Sequence, residues 1–204
     1  EFHFFTPSDS VQDVTLFAKY TLRADEMFLN RMIGGTFEGS NDPDFREKEV
    51  LYLINEKPKR LQTVVQSYSS KSYRYVRYIG PKDSHCNIAE AAFYTPNDTA
   101  SLKGKVIGTP GCFQKDGSHE YTNVFDGDVT TSFDYIESSG GWSGLDLGTP
   151  KQIGKIVYTP RNYDNYVCHG DDYELFYCSQ DKWKSLGKQT SYADSLVYKN
   201  VPIN

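Results

Sequence analysis

The sequence predicts an all-β protein made of two β-sandwich units, and three features carry that expectation. Aromatic residues are 15% of the 204-residue chain, with 16 Tyr and 12 Phe against two Trp and two Met. Tyr and Phe suit a pleated, half-buried surface. Turn signals recur every several residues, among them Gly34-Gly35, Asn41-Asp42-Pro43, Gly80-Pro81, Pro96-Asn97-Asp98, Pro110-Gly111, Asp126-Gly127-Asp128 and Gly148-Thr149-Pro150. Short strand-like runs between such turns are the pattern of a sandwich. Helical periodicity is scarce, with room for a turn or so at 24–32 and 124–131.

Taken in order, the strand-like runs are 14–20, 50–54, 73–78, 89–94, 144–147, 153–158, 173–177 and 195–198. In 73–78, strict alternation puts Arg74 on one face with Val76 and Tyr78, and Arg77 on the other with Tyr73 and Tyr75. A weak internal repeat relates Val14-Thr15-Leu16 and 35–40 to Leu145-Asp146-Leu147 and 172–177, each leading to an acidic turn and an aromatic, Phe45 and Trp183. Two related β units follow, 1–96 and 97–204, with a seam in the polar stretch 95–104.

Lys and Arg number 22 against 27 Asp and Glu, a net charge of −5. No block of like charge marks a footprint for nucleic acid. No apolar run reaches the ~18 residues of a membrane span, so membrane insertion is not expected. No signal peptide is visible ahead of the first turns; a removed targeting segment is compatible with the start at Glu1. The four cysteines, Cys86, Cys112, Cys168 and Cys178, form no C-x-x-C pair. They read as buried thiols, with a Cys168–Cys178 cross-strand disulfide as the alternative.

The run 124–133, Val-Phe-Asp-Gly-Asp-Val-Thr-Thr-Ser-Phe, resembles the F-D-G-D-x-x-T-x-W/F loop of discoidin, coagulation-factor type C and family-32 carbohydrate-binding modules. It is followed, as in that family, by 141–148 (Gly-Trp-Ser-Gly-Leu-Asp-Leu-Gly), 153–158, Tyr158-Thr159-Pro160-Arg161 and Tyr173-Glu174-Leu175-Phe176-Tyr177. Residues 39–42 (Gly-Ser-Asn-Asp), 73–78 and 87–94 (Asn-Ile-Ala-Glu-Ala-Ala-Phe-Tyr) are similar to the family's back half only. The resemblance implies two tandem jelly-roll (galactose-binding-like) sandwiches. The first matches only the back half, and the second stops before a closing strand. Either the chain is cut from a longer protein or the two incomplete units lean on each other.

Asp126, Asp128 and Thr131 place oxygen ligands on one short turn, bent at Gly127, and hard oxygens on such a loop suit Ca²⁺. The family implies a structural calcium here, completed by backbone carbonyls and a Glu of the closing strand. As the units are divided, Glu90 belongs to the first. The alternative is an Asx-type turn held by side-chain hydrogen bonds.

Arg161, Asn162, Asn165 and Tyr166 fall on a loop directly after a strand. A guanidinium fork and amides give directional hydrogen bonds to vicinal hydroxyls, and a nearby ring offers a stacking face. In sugar-binding relatives an Arg and an Asn of this loop contact the sugar, and a His follows the T-x-W stretch. Asp134 stands there instead, with Tyr135 beside it, so a galactose preference does not carry over. Trp142, Tyr163 and Tyr166 are candidate stacking rings. In the competing reading, Arg161 pairs with an acid such as Asp164 or Asp171 and only orders the loop.

No catalytic residues are expected. His169 near Cys168 and Asp171 has no second His at ligand spacing. His85-Cys86 lacks an orienting third group and sits on opposite faces of a strand. Asp171-Asp172 and Asp42/Asp44 lie in turns, where Asp serves conformation. The chain therefore reads as a non-catalytic carbohydrate-binding module, extracellular, on the cell surface or periplasmic. Its partners would be a glycan and further domains of a longer parent protein. The alternative is a structural or protein-interaction β-sandwich attached to a larger surface hydrolase.

Overall fold

The computed structural model describes residues 10–17, 27–59, 62–161, 170–192 and 195–203. The protein is nearly all β, 47% strand and 6% helix. In chain order the strands are β1 (Ser10–Phe17), β2 (Thr36–Ser40), β3 (Lys48–Leu53), β4 (Thr63–Gln66), β5 (Ser72–Ile79) and β6 (Glu90–Tyr94). They continue with β7 (Lys105–Gly108), β8 (Trp142–Gln152), β9 (Lys155–Thr159), β10 (Asp172–Ser179), β11 (Lys182–Thr190) and β12 (Ser195–Ile203). Every described pairing is antiparallel. One helical turn occupies 27–30, inside the first stretch where a turn is expected, and a 3-10 helix spans Tyr121–Phe125, overlapping the second stretch only at 124–125.

Two compact units emerge, and they are not 1–96 and 97–204. One is Thr21–Asp164; the other joins Glu1–Tyr20 to Asn165–Asn204. The expected boundary fails because strands from either side of it pair. β5 lies beside β8 in a five-stranded sheet ordered β3-β2-β5-β8-β7, and β9 lies between β4 and β6 in a three-stranded one. The polar stretch 95–104 is a connection inside this unit, tied back by the Leu102 N–H donating to the Phe93 carbonyl at 2.7 Å. The internal repeat dissolves as well, since β1 pairs with β12 in the other unit while 145–147 lie in β8.

The two sheets of the 21–164 unit share one core. Phe37 of β2 is fully buried. Its ring meets Tyr78 of β5 at 5.1 Å, Phe93 of β6 at 6.0 Å and Tyr158 of β9 at 5.2 Å. Ile156, Leu145, Val76, Ile88 and Phe133 fill in around these rings. Gly144 lets β8 approach β5 closely, because an added Cβ would stand 2.2 Å from the Val76 carbonyl oxygen. The other unit holds the β1–β12 and β10–β11 pairs over a small core of Leu196, Tyr198 and Val201.

Alternation along β5 is broken. The register shifts between Tyr73 and Tyr75, so Tyr73 joins Val76 and Tyr78 in the core. An irregularity of one residue reverses the facing of whatever precedes it. Arg77 remains on the other face, 4.0 Å above the Phe45 ring, with its guanidinium paired to buried Glu38 at 2.7 Å. Arg74 forks onto Asp146 at 2.8 and 2.9 Å.

The Gly-Ser-Asn-Asp stretch is structural. Asn41 replaces a strand residue where β2 leaves β5, its Nδ2 donating to the Ser72 carbonyl at 3.0 Å and its Oδ1 accepting from the Arg74 N–H at 2.9 Å. Asp42 takes the Arg46 guanidinium at 2.8 Å; that hydrogen bond holds its carboxyl down to about 2. Asn41→Ala is expected to lower the unfolding free energy by about 1–2 kcal/mol, as two main-chain groups lose partners. Urea denaturation checks this; an unchanged midpoint would contradict it.

Candidate functional site

Three connections of the 21–164 unit lie side by side. The turn after β5 carries Asp83, His85 and Cys86 at φ of 59°, 54° and 53°. Left-handed backbone is unfavourable for residues other than glycine and persists only where surroundings enforce it. Enforcement comes from the next connection: the Tyr135 N–H donates to the His85 carbonyl at 2.7 Å, and His85 Nδ1 lies 2.9 Å from the Tyr135 carbonyl. The Phe113 N–H donates to the Asp134 carbonyl at 2.8 Å. This seats the Phe113 ring edge-on to His85 at 5.3 Å. Phe113 is 55% exposed, an unusual position for a ring held by a neighbour.

A chain of polar side chains passes through Asp134. Arg31 Nη1 donates to Asn87 Oδ1 at 2.7 Å, and Asn87 Nδ2 donates to Asp134 Oδ1 at 2.7 Å. The other oxygen of Asp134 takes Arg161 Nη1. The Arg161 guanidinium also sits 4.8 Å above the Phe28 ring. Asn87 and Asp134 are buried, and a buried carboxylate is stable only when paired and hydrogen-bonded. Both conditions hold here.

The residues expected around a sugar are partly reassigned. Arg161 pairs with Asp134. Trp142 packs structurally, at 5.8 Å from the Phe45 ring and 5.2 Å from the Arg77 guanidinium. Tyr135 is half-buried against Phe133 at 6.0 Å. Asn162, Tyr163, Asn165, Tyr166, Asp164, Cys168 and His169 lie outside the described residues. Arg31, Asn87, His85 and Phe113 complete the cluster. Asn87 stands in the Asn-Ile-Ala-Glu run already singled out and His85 in the His85-Cys86 pair; nothing local marks Arg31 or Phe113.

His85 and Cys86 form no dyad. Cys86 belongs to the core, and burial pushes its thiol up to about 12, far from a reactive thiolate. Cys86, Cys112 and Cys178 are free thiols.

A second cluster surrounds Gly127, whose φ of 85° makes the tight bend. Asp126 Oδ1 accepts the Asp128 N–H at 2.8 Å and Asp126 Oδ2 the Thr131 hydroxyl at 2.7 Å. Asp128 Oδ1 accepts the Thr130 N–H at 2.9 Å. The side-chain-bonded turn is thus present. Glu90 of β6 reaches this turn, its Oε1 accepting the Gly127 N–H at 2.9 Å. Its assignment to a separate unit is overturned, because β6 and the 124–131 turn belong to the same one. Burial, and then the hydrogen-bonded Asp126 carboxyl, push Glu90 up to about 8. Two carboxyl groups meeting over a backbone N–H need a shared proton or a cation between them. The donor set fits Ca²⁺ in that respect, although no group of three or more Asp, Glu, His or Cys gathers as a metal cluster among the described residues.

Fold and geometry together define an all-β protein whose larger unit gathers polar loops around Asp134 and carboxyl groups around Gly127. No family model, no curated protein and no solved structure matches the chain. No helix among the described residues is long and apolar enough to cross a membrane.

Proposed function

We propose that the protein is a non-catalytic carbohydrate-binding module of a secreted or cell-surface protein, with its saccharide held at the Asp134–Arg161 loop cluster. One observation carries the reading: Asp134, which ends the buried polar chain with Arg161, also accepts through its carbonyl the N–H of Phe113, an exposed ring braced by a strained His85 turn. An exposed aromatic face beside fixed hydrogen-bonding groups is what a pyranose ring, apolar on one side and hydroxylated at its rim, requires.

On this reading the 21–164 unit is one galactose-binding-like jelly roll with its halves in exchanged order. Two strands resembling the family's back half, β5 and β6, pair with strands resembling its front half, β8 and β9. Glu90 then takes the place of the closing-strand Glu. Ca²⁺ held by Glu90, Asp126 and neighbouring carbonyls would pin the 124–131 turn to β6.

The Asp134–Arg161 pair itself favours a second reading, a structural sandwich with no sugar ligand. Arg161→Ala would strand a buried carboxylate and destabilise the fold under either reading, so it does not separate them. Phe113→Ala does. A saccharide module binding at about 0.1–1 mM is expected to weaken roughly tenfold, with its melting curve unchanged. Titration of an oligosaccharide panel followed by amide shifts checks this. If no saccharide perturbs the spectrum, the structural reading replaces the first.

A further inference from the structure

We propose that the ligand is an acidic saccharide, a sugar bearing a carboxylate, and that Arg31 is the residue selecting it. The inference rests on the saccharide reading of the Asp134 cluster. That cluster contains two guanidinium groups and one carboxylate. Asp134 is closed by Arg161 on one oxygen and by Asn87 on the other, so its negative charge is matched once. Arg31 donates to the carbonyl oxygen of Asn87, a neutral amide, from one of its five N–H groups. Among the described residues, the ion pairing of this cluster is confined to Asp134 and Arg161, so that two guanidinium groups there share one carboxylate.

Asn87 transmits the arrangement. Because Nδ2 faces Asp134, Oδ1 faces Arg31 and fixes that guanidinium relative to the buried carboxylate. A guanidinium held by one corner presents its remaining donors in a plane, the geometry that receives a carboxylate through two parallel hydrogen bonds. A neutral sugar offers hydroxyls to the same donors and leaves the charge unmatched. The net charge of −5 opposes anions only at long range and is screened beyond about 8 Å at physiological ionic strength. The local excess at Arg31 therefore sets the preference.

The test titrates the full chain with tri-galacturonate and with its neutral counterpart, tri-galactose, following amide shifts in low salt. The expected result is an affinity at least about tenfold higher for the acidic sugar, the effect of one charge-assisted pair, narrowing as salt is raised. Arg31→Gln is expected to bring the ratio towards one, and Arg31→Lys, which keeps the charge without the fork, to leave it in between. Equal or tighter binding of the neutral sugar by the unmodified protein overturns the proposal while the saccharide reading stands. Binding of neither sugar overturns both. Because the comparison of sugars needs no variant, a folding defect in Arg31→Gln does not rescue the proposal.

Discussion

Phe37→Ala is expected to remove about 3–5 kcal/mol of stability from the 21–164 unit, the loss found when a large aromatic leaves a packed core. Phe37 has no exposed surface, and its three ring neighbours come from β5, β6 and β9. Both sheets therefore feel the cavity. Since β6 precedes the 95–104 connection and β9 follows it, protection should fall together on either side. Hydrogen exchange monitored amide by amide checks this, with Trp142 fluorescence in a Trp183→Phe background as a second probe. If amides of β8 and β9 kept their protection while those of β2 and β5 lost theirs, the strands would belong to separate cooperative units.

The second large effect concerns Glu90 and has a definite sign. Its carboxyl lies at about 8 in the folded protein against an ordinary value of about 4.5, so between those pH values the folded state holds a proton that the unfolded chain releases. Stability without added metal is then greatest below about pH 4.5 from this group, and declines as pH rises towards 8. Allowing for partial exposure of the carboxyl, the decline is about 1–2 kcal/mol. If Ca²⁺ is held here as proposed, it would replace the proton between Glu90 and Asp126, so adding it should raise the melting temperature at pH 8 far more than at pH 5. Glu90→Gln should flatten the metal-free pH dependence and abolish the calcium response. Melting curves at the two pH values, with Ca²⁺ and with chelator, decide the matter. A calcium-insensitive curve would leave the hydrogen-bonded turn of Asp126, Asp128 and Thr131 standing alone.

What the sequence made legible was local. Tyr-, Ile- and Val-rich runs such as 73–78, 153–158 and 173–177 announce themselves as strands; β5 and β10 contain the first and last, and β9 covers 155–158 of the second. The unannounced strands are β4 and β7, only four residues each, with β2 and β11, whose glycines and polar residues break the alternation. Pairing across long separations was not legible at all. Nothing in residues 72–79 says that they lie beside 142–152, so the chain was divided where its composition turns polar instead of where its contacts thin out. The site suffered in the same way. Asp134 and Arg161 were marked by their places in family-like runs, but the link between them and Arg31 passes through Asn87, 47 positions from Asp134 and 56 from Arg31. For Trp142 the sequence leaves two roles open, because a large ring is equally suited to stacking on sugar or on Arg77, and the contact with Arg77 comes from the neighbouring strand.

Amide-shift mapping with an acidic trisaccharide tests the central claim most directly, because it reports where the ligand sits as well as whether it binds. The account predicts saturable shifts concentrated at residues 83–88, 112–114 and 132–136 and at the Arg31 and Arg161 side-chain N–H groups, on the loops that meet around Asp134. A spectrum that does not move, or shifts confined to the Gly127 turn or to β10–β12, would contradict it.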